Sequence, residues 1–158
     1  MKINIYCIGK LKEDYLRAAQ KDFSQRIGHY AQLQIHELPE EDARASLSAS
    51  DTEILLAREA AKISKILKPG KNIALAIDGK HPDSIQFSKQ IQNLGETNAA
   101  AVVNFIIGGS LGLSSKILDI SERLSLSNMT FPHQLARIIL LEQIYRSFRI
   151  INNQPYHK

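Results

Sequence analysis

Apolar runs of strand length recur four times along the chain, at positions 2–8, 33–38, 72–77 and 101–107. After each comes a stretch whose apolar positions return every three to four residues, the period of a helix with one buried face. The helical stretches fall at 13–30, 51–67, 84–94, 114–121 and 133–150, with Asp51, Ser84 and Ser114 placed to cap three of them. This alternation predicts an α/β fold, a mainly parallel sheet with helices on both faces. Lys68-Pro69-Gly70 reads as the stop of the second helix and Asp78-Gly79 as the turn that ends the third strand. Residues 39–50, where Glu40-Glu41-Asp42 precedes small residues, read as a surface loop. In such sheets ligands settle outside the carboxyl ends of the strands, which singles out residues 78–80, 108–112 and 125–133.

The last helical stretch breaks the pattern. Leu135, Ile138, Ile139, Leu140, Leu141, Ile144, Tyr145 and Phe148 point almost all round its axis, so it must be covered on more than one side. A second copy of the chain is the simplest further cover, and a homodimer is expected. Between these positions Glu142, Arg146 and Arg149 form one narrow polar stripe. Either Glu142 and Arg146 pair at the i,i+4 spacing, or the two arginines meet phosphate.

Length and composition narrow the rest. At 158 residues and 44% hydrophobic content, the chain suits a single domain over residues 1–158 with a real core. Its formal charge of +4 and pI near 9.2 favour a polyanionic partner without requiring one. Much of the excess lies near the carboxyl end, where Arg137, Arg146, Arg149 and Lys158 face one acid, Glu142, beside Tyr156 and His157. Cation, stacking surface and proton-transfer group together suit an RNA base. Cys7 is the sole cysteine, lies in an apolar run and is expected to be a buried core residue. No early segment has a secretory pattern and no apolar run reaches membrane-spanning length, so a soluble, cytoplasmic protein is expected.

The turn after the fourth strand carries two competing motifs. Gly108-Gly109-Ser110-Leu111-Gly112 could bring backbone amides to a nucleotide, but it is GGxxG rather than GxGxxG and has no acidic ribose partner after it. The same residues spell G-x-S-x-G, followed by Asp119 and His133 in hydrolase order, though Asp119 falls inside an expected helix and a second oxyanion donor is missing. A non-catalytic ribosome-binding domain would need the basic tail but not this turn.

Ile107-Gly108-Gly109 with Gly112-Leu113, the run SLSNMTFPHQLAR from Ser125 to Arg137, LLEQIYR from Leu140 to Arg146 and the closing PYHK together resemble the RlmH family, and the similarity extends to the opening MKINIYCIGKLKEDY. These are small SPOUT-class methyltransferases acting on pseudouridine in large-subunit ribosomal RNA. The resemblance implies a C-terminal trefoil knot, S-adenosyl-L-methionine bound in the knot loops, no metal, and a homodimer working on assembled ribosomes. The implied reaction is methylation of N3 of pseudouridine 1915 in 23S rRNA.

Carried over by position, the cofactor contacts would be Leu75, Gly108, Leu126, Ser127, Asn128, Met129, Thr130 and Phe131, through backbone groups more than side chains. Methyl transfer to N3 also requires loss of the imide proton. Tyr156, His157 and Arg146 are the candidates for base contact and proton handling, with Arg149 and Lys158 on RNA. His133 is their rival, either in proton handling or as an anchor of the loop before the last helix.

Overall fold

Each of the four expected apolar runs becomes a strand, and a fifth strand, unmarked by any apolar run, joins them. The structure is a computed structural model that describes residues 1–41, 47–96 and 101–157. Its elements run β1 (Lys2–Ile8), α1 (Asp14–Ile27), β2 (Gln32–Leu38), α2 (Ala49–Ile66), β3 (Lys71–Lys80), α3 (Ser84–Glu96), β4 (Val102–Ile107), α4 (Ser115–Asp119), β5 (Glu122–Leu124) and α5 (His133–Ile151). The strands form a parallel sheet in the order β2-β1-β4-β3-β5.

Alternation along the strands sends side chains to two cores, as expected for a sheet covered on both faces. Ile3, Ile5 and Cys7 of β1 join Val103 and Phe105 of β4 beneath Ile27 of α1, Phe87 and Ile91 of α3, and Leu140 and Ile144 of α5. Tyr6, Ile8 and Ile106 point the other way, onto Ala60 and Ile63 of α2 and Ile117 of α4. Burial pushes the Cys7 thiol up to about 12, so it remains a neutral core group. Asparagines interrupt three strands, and they satisfy one another: Asn4 donates to Asn104 at 2.9 Å and Asn104 to Asn72 at 2.9 Å, at matched register positions. A one-residue slip would leave these buried amides unpaired, so the ladder pins the register.

Several local expectations are corrected. Ser48, not Asp51, caps α2: it accepts from the Asp51 amide while the Asp51 carboxylate accepts from the Ser48 amide, a capping box. Asp83 rather than Ser84 plays that part for α3, exchanging bonds with Gln86. Ser114 does precede α4, but its side chain makes no capping bond. That helix is a short piece, and the residues after it form β5. Asp78-Gly79 does not end β3, which shifts register between Leu75 and Lys80 and pairs again with Leu124. The expected loop at 39–50 lies partly outside the described residues, and its last two positions already belong to α2.

The all-round apolar pattern of α5 is largely met within the chain, because the helix lies against the sheet and packs between α1 and α3. The exposed large apolar side chains include Met129 (72% exposed), Ile77 (59%) and Leu135 (40%). Among the described residues no helix is long and apolar enough to cross a membrane.

Candidate active site

The carboxyl ends of β3, β4 and β5 and the start of α5 enclose a cavity of about 1060 Å³. Residues 75–78, 107–113 and 124–133 wall it, Asn128 excepted, and Leu118 and Ala136 complete it. Such a volume admits a nucleoside-sized ligand, and strand ends are where this architecture leaves room for one. Of the cofactor residues expected from sequence, Leu75, Gly108, Leu126, Ser127, Met129, Thr130 and Phe131 all line the cavity.

Local bonding shapes these walls. Gly109 and Gly112 bridge across their turn, and a Cβ on Gly108 would come within 2.2 Å of the Gly112 carbonyl oxygen, so the turn closes only with glycine at 108. The Ser125 amide donates to the Lys80 carbonyl at 2.9 Å, which fixes the third wall to the end of β3. Ser127 Oγ then accepts from the Met129 amide at 3.0 Å, an internal turn that aims residues 129–131 at the cavity. Backbone groups on tight turns against apolar walls fit an adenosine-like ligand. Asp78, on the rim, is ion-paired with Arg123.

The hydrolase reading fails on geometry. Ser110 Oγ donates to the Glu40 carboxylate at 2.9 Å, its amide donates to the same oxygen at 2.9 Å, and Asp119 sits on the exposed end of α4. Burial pushes the Glu40 carboxyl upward, but the two Ser110 bonds, with His133 and Lys12 nearby, leave it below its ordinary value. Burial lowers His133 from its usual 6.5, opposed by Glu40 and aided by Arg137 and Lys12, so the imidazole that lines the cavity is neutral at pH 7. Its contribution to stability is therefore full above pH 6.5 and falls as the pH drops from there toward the lowered value, because the unfolded chain takes up the proton first. His36 is lowered too, by burial and by Lys68, and adds to the same trend. Urea unfolding between pH 7.5 and 5.5 should show this loss, and H133Q should reduce it.

Arg137 is fully buried rather than available to RNA. Its guanidinium pairs with Glu37 at 2.5 Å and donates to the Gly9 carbonyl at 2.8 Å, tying α5 to the ends of β1 and β2. Its charge is visible in the residue order, but its burial is not, because burial depends on neighbours at the ends of β1 and β2.

The carboxyl-terminal group assembles around a residue that sequence reasoning treated only as an ion-pair partner. Glu142 Oε1 accepts from Arg146 Nη2 at 2.7 Å and from the Tyr156 hydroxyl at 3.1 Å. Arg146 lies over the Tyr156 ring, 4.8 Å from its centroid, and approaches His157 Nδ1 at 3.4 Å. Arg149 donates to the Pro155 carbonyl at 2.9 Å and reaches the Tyr30 hydroxyl at 3.4 Å. The expected Glu142–Arg146 pair thus forms, and both arginines hold the chain end in place. Burial and then Glu142 raise Tyr156 above its ordinary 10, so it is a hydrogen-bond donor rather than a base. Lys158 lies outside the described residues. This cluster does not line the cavity: from Ala136, the last residue of α5 on the cavity wall, to Arg146 the helix climbs almost three turns, about 15 Å.

Among the described residues no group of His, Cys, Asp or Glu is placed to hold a metal. Residues 1–157 match the family described as Predicted SPOUT methyltransferase. A ribosomal RNA large subunit methyltransferase H from Clostridioides difficile (strain 630) is 47% identical over an alignment of 160 positions that covers all of both chains. One of the same name from Clostridium kluyveri (strain ATCC 8527) is 45% identical over the same extent. A crystal structure of a methylase family protein from Neisseria gonorrhoeae shares the fold at a TM-score of 0.54 and 10% identity, over 99% of this chain and 86% of that one.

Proposed function

The chain belongs to the SPOUT methyltransferase family, and from that premise we propose that it methylates N3 of a pseudouridine in large-subunit ribosomal RNA, using S-adenosyl-L-methionine. The target is pseudouridine 1915 of 23S rRNA, met on assembled ribosomes in the cytoplasm. Residues 1–158 act as a single domain. The observation that carries this reading is the meeting of three strand-end turns at one cavity, lined by all but one of the residues the resemblance assigned to the cofactor. Full-length relatives whose names state methylation of large-subunit ribosomal RNA support it.

The placement of residues 125–133 is consistent with a trefoil knot: the Ser125 amide is bonded to Lys80 at the end of β3, and by Gln134 the chain has reached the segment after β1, where the Lys12 amide donates to it at 2.8 Å.

When bound, the cofactor supplies an electrophilic methyl group on a sulfonium. The chain's own contribution is to bind the adenosine through the turn backbones, exclude water with apolar walls, and bring the base in line with that methyl. Arg146, Tyr156 and His157 are assigned to the base. Arg146 and the Tyr156 hydroxyl donate to carbonyl oxygens whose negative charge grows as the N3 proton leaves, and His157 is the acceptor for that proton. Arg149 and Lys158 hold RNA phosphate. Because this cluster stands about 15 Å along α5 from the nearest helix residue of its own cavity wall, the working unit is a homodimer in which one chain's tail serves its partner's cavity. Exposed Met129 and Ile77, beside the cavity, supply apolar contact surface for the second copy.

Mass spectrometry of large-subunit RNA from cells with and without this protein tests the reading. The expected result is one methyl group missing from one pseudouridine when the protein is absent; an unchanged RNA overturns it.

A further inference from the structure

Glu40 belongs to the segment between β2 and α2, outside every residue assigned to the reaction. Its residues 39–41 are held to α2 by several contacts, among them a 3.7 Å ion pair of Arg58 with the Glu41 carboxylate. The Glu41 amide donates to buried Glu59 at 3.0 Å, Lys62 Nζ donates to the Pro39 carbonyl at 3.0 Å, and Lys62 pairs with the Glu41 carboxylate at 2.5 Å. From this base the Glu40 carboxylate crosses to the glycine turn and takes both the amide and the hydroxyl of Ser110, each at 2.9 Å. A Cβ on Gly109 would lie 2.8 Å from the same carboxylate oxygen, so the turn makes room for this group only by lacking a side chain there.

Gly109, Ser110 and His133 line the cavity, and Glu40 stands directly behind them. Lys12 and His133 are close enough to favour its ionised form, but neither closes an ion pair on it. Asp78 on the opposite rim is paired with Arg123, whereas Glu40 forms no ion pair among the described residues. A carboxylate held ionised chiefly by the two Ser110 bonds, behind a wall that is largely apolar, projects its field into the cavity with less screening than at an open surface.

We propose that Glu40 is a positioning and specificity-determining residue of this site: it holds the Gly108–Gly112 turn in its ligand-facing form, and its negative charge favours the cationic sulfonium cofactor over the neutral thioether product. The inference rests on the cofactor reading above. Its consequence is functional, because after methyl transfer the adenosyl product loses the attraction and leaves.

Calorimetry on the full chain, with S-adenosylmethionine and S-adenosylhomocysteine as probes, separates the two parts. The probes share amino, carboxyl and adenosine groups and differ in the charge on sulfur. Glutamine at position 40 can still accept from Ser110, so E40Q removes charge and keeps the turn. E40Q should weaken the sulfonium ligand about fivefold and the thioether less than about twofold; E40A should weaken both. Equal loss for the two ligands in E40Q, or no loss, overturns the proposal. Should E40Q fail to fold, the wild-type chain gives the same reading: raising salt should erode sulfonium affinity more than thioether affinity, and equal erosion overturns it. Wild-type protein that binds neither probe overturns the cofactor reading itself and the inference with it.

Discussion

Removal of residues 155–158 is expected to lower methyl transfer to ribosomes by about 10²- to 10⁴-fold, the range for losing positioned proton-transfer and charge-stabilising groups, while cofactor affinity stays at the wild-type value. The split follows from geometry. Tyr156 and His157 touch Glu142 and Arg146, and Pro155 is held by Arg149, all on the far half of α5. None of these residues lines the cavity. A truncated chain is therefore expected to keep its cavity walls and Arg146 while losing Tyr156, His157 and Lys158.

The same distance makes a second experiment decisive. Gly108→Val should abolish cofactor binding, because its Cβ alone would overlap the Gly112 carbonyl, yet it leaves the tail intact. Mixing truncated chains with Gly108→Val chains should restore activity, since the mixed dimer joins a sound cavity to a sound tail. If the mixture stays as inactive as its parts, tail and cavity do not cooperate between chains and the dimeric site is wrong.

Arg137→Met is expected to destabilise the protein by about 3 kcal/mol, the low end of the cost of removing one partner from a buried charge pair, because Glu37 keeps 30% exposure. At this chain length that lowers the melting temperature by roughly 10 °C. Arg137 is only 1% exposed and bonds both Glu37 and the Gly9 carbonyl, so its loss strands an acid and a backbone acceptor at once. It lies one turn after His133, which lines the cavity, so cofactor binding should weaken alongside stability. Adding Glu37→Gln to Arg137→Met should recover part of the loss. A single variant as stable as wild type in urea would show that the pair is dispensable.

Much of this molecule could be read from residue order, for a definite reason. Strands and helices arise from periodicities of two and 3.6, which short windows display, and a run such as positions 101–107 is apolar enough to declare itself. Turn glycines are equally local, so the Gly108–Gly112 turn could be marked as a ligand loop from spacing alone. The three-residue β5 could not, since Glu122, Arg123 and Leu124 carry no strand pattern and become a strand only because the edge of β3 lies open beside them. Nor could the seat of Asp83 rather than Ser84 at the head of α3, which depends on which side chain turns back to the amides.

What the chain order determined, then, is the alternation of elements, the two apolar faces and the identity of the loops that meet at the sheet's carboxyl edge. The tertiary structure alone decided which charges are free. Arg137, Arg146 and Arg149 look alike in sequence, yet the first is buried against Glu37 and the other two clamp the chain end. It alone also brought Glu40 to Ser110, 70 positions away, and set the tail cluster almost three helical turns from the cavity wall. Pairing and burial are properties of neighbours across space, and no local window of sequence contains those neighbours.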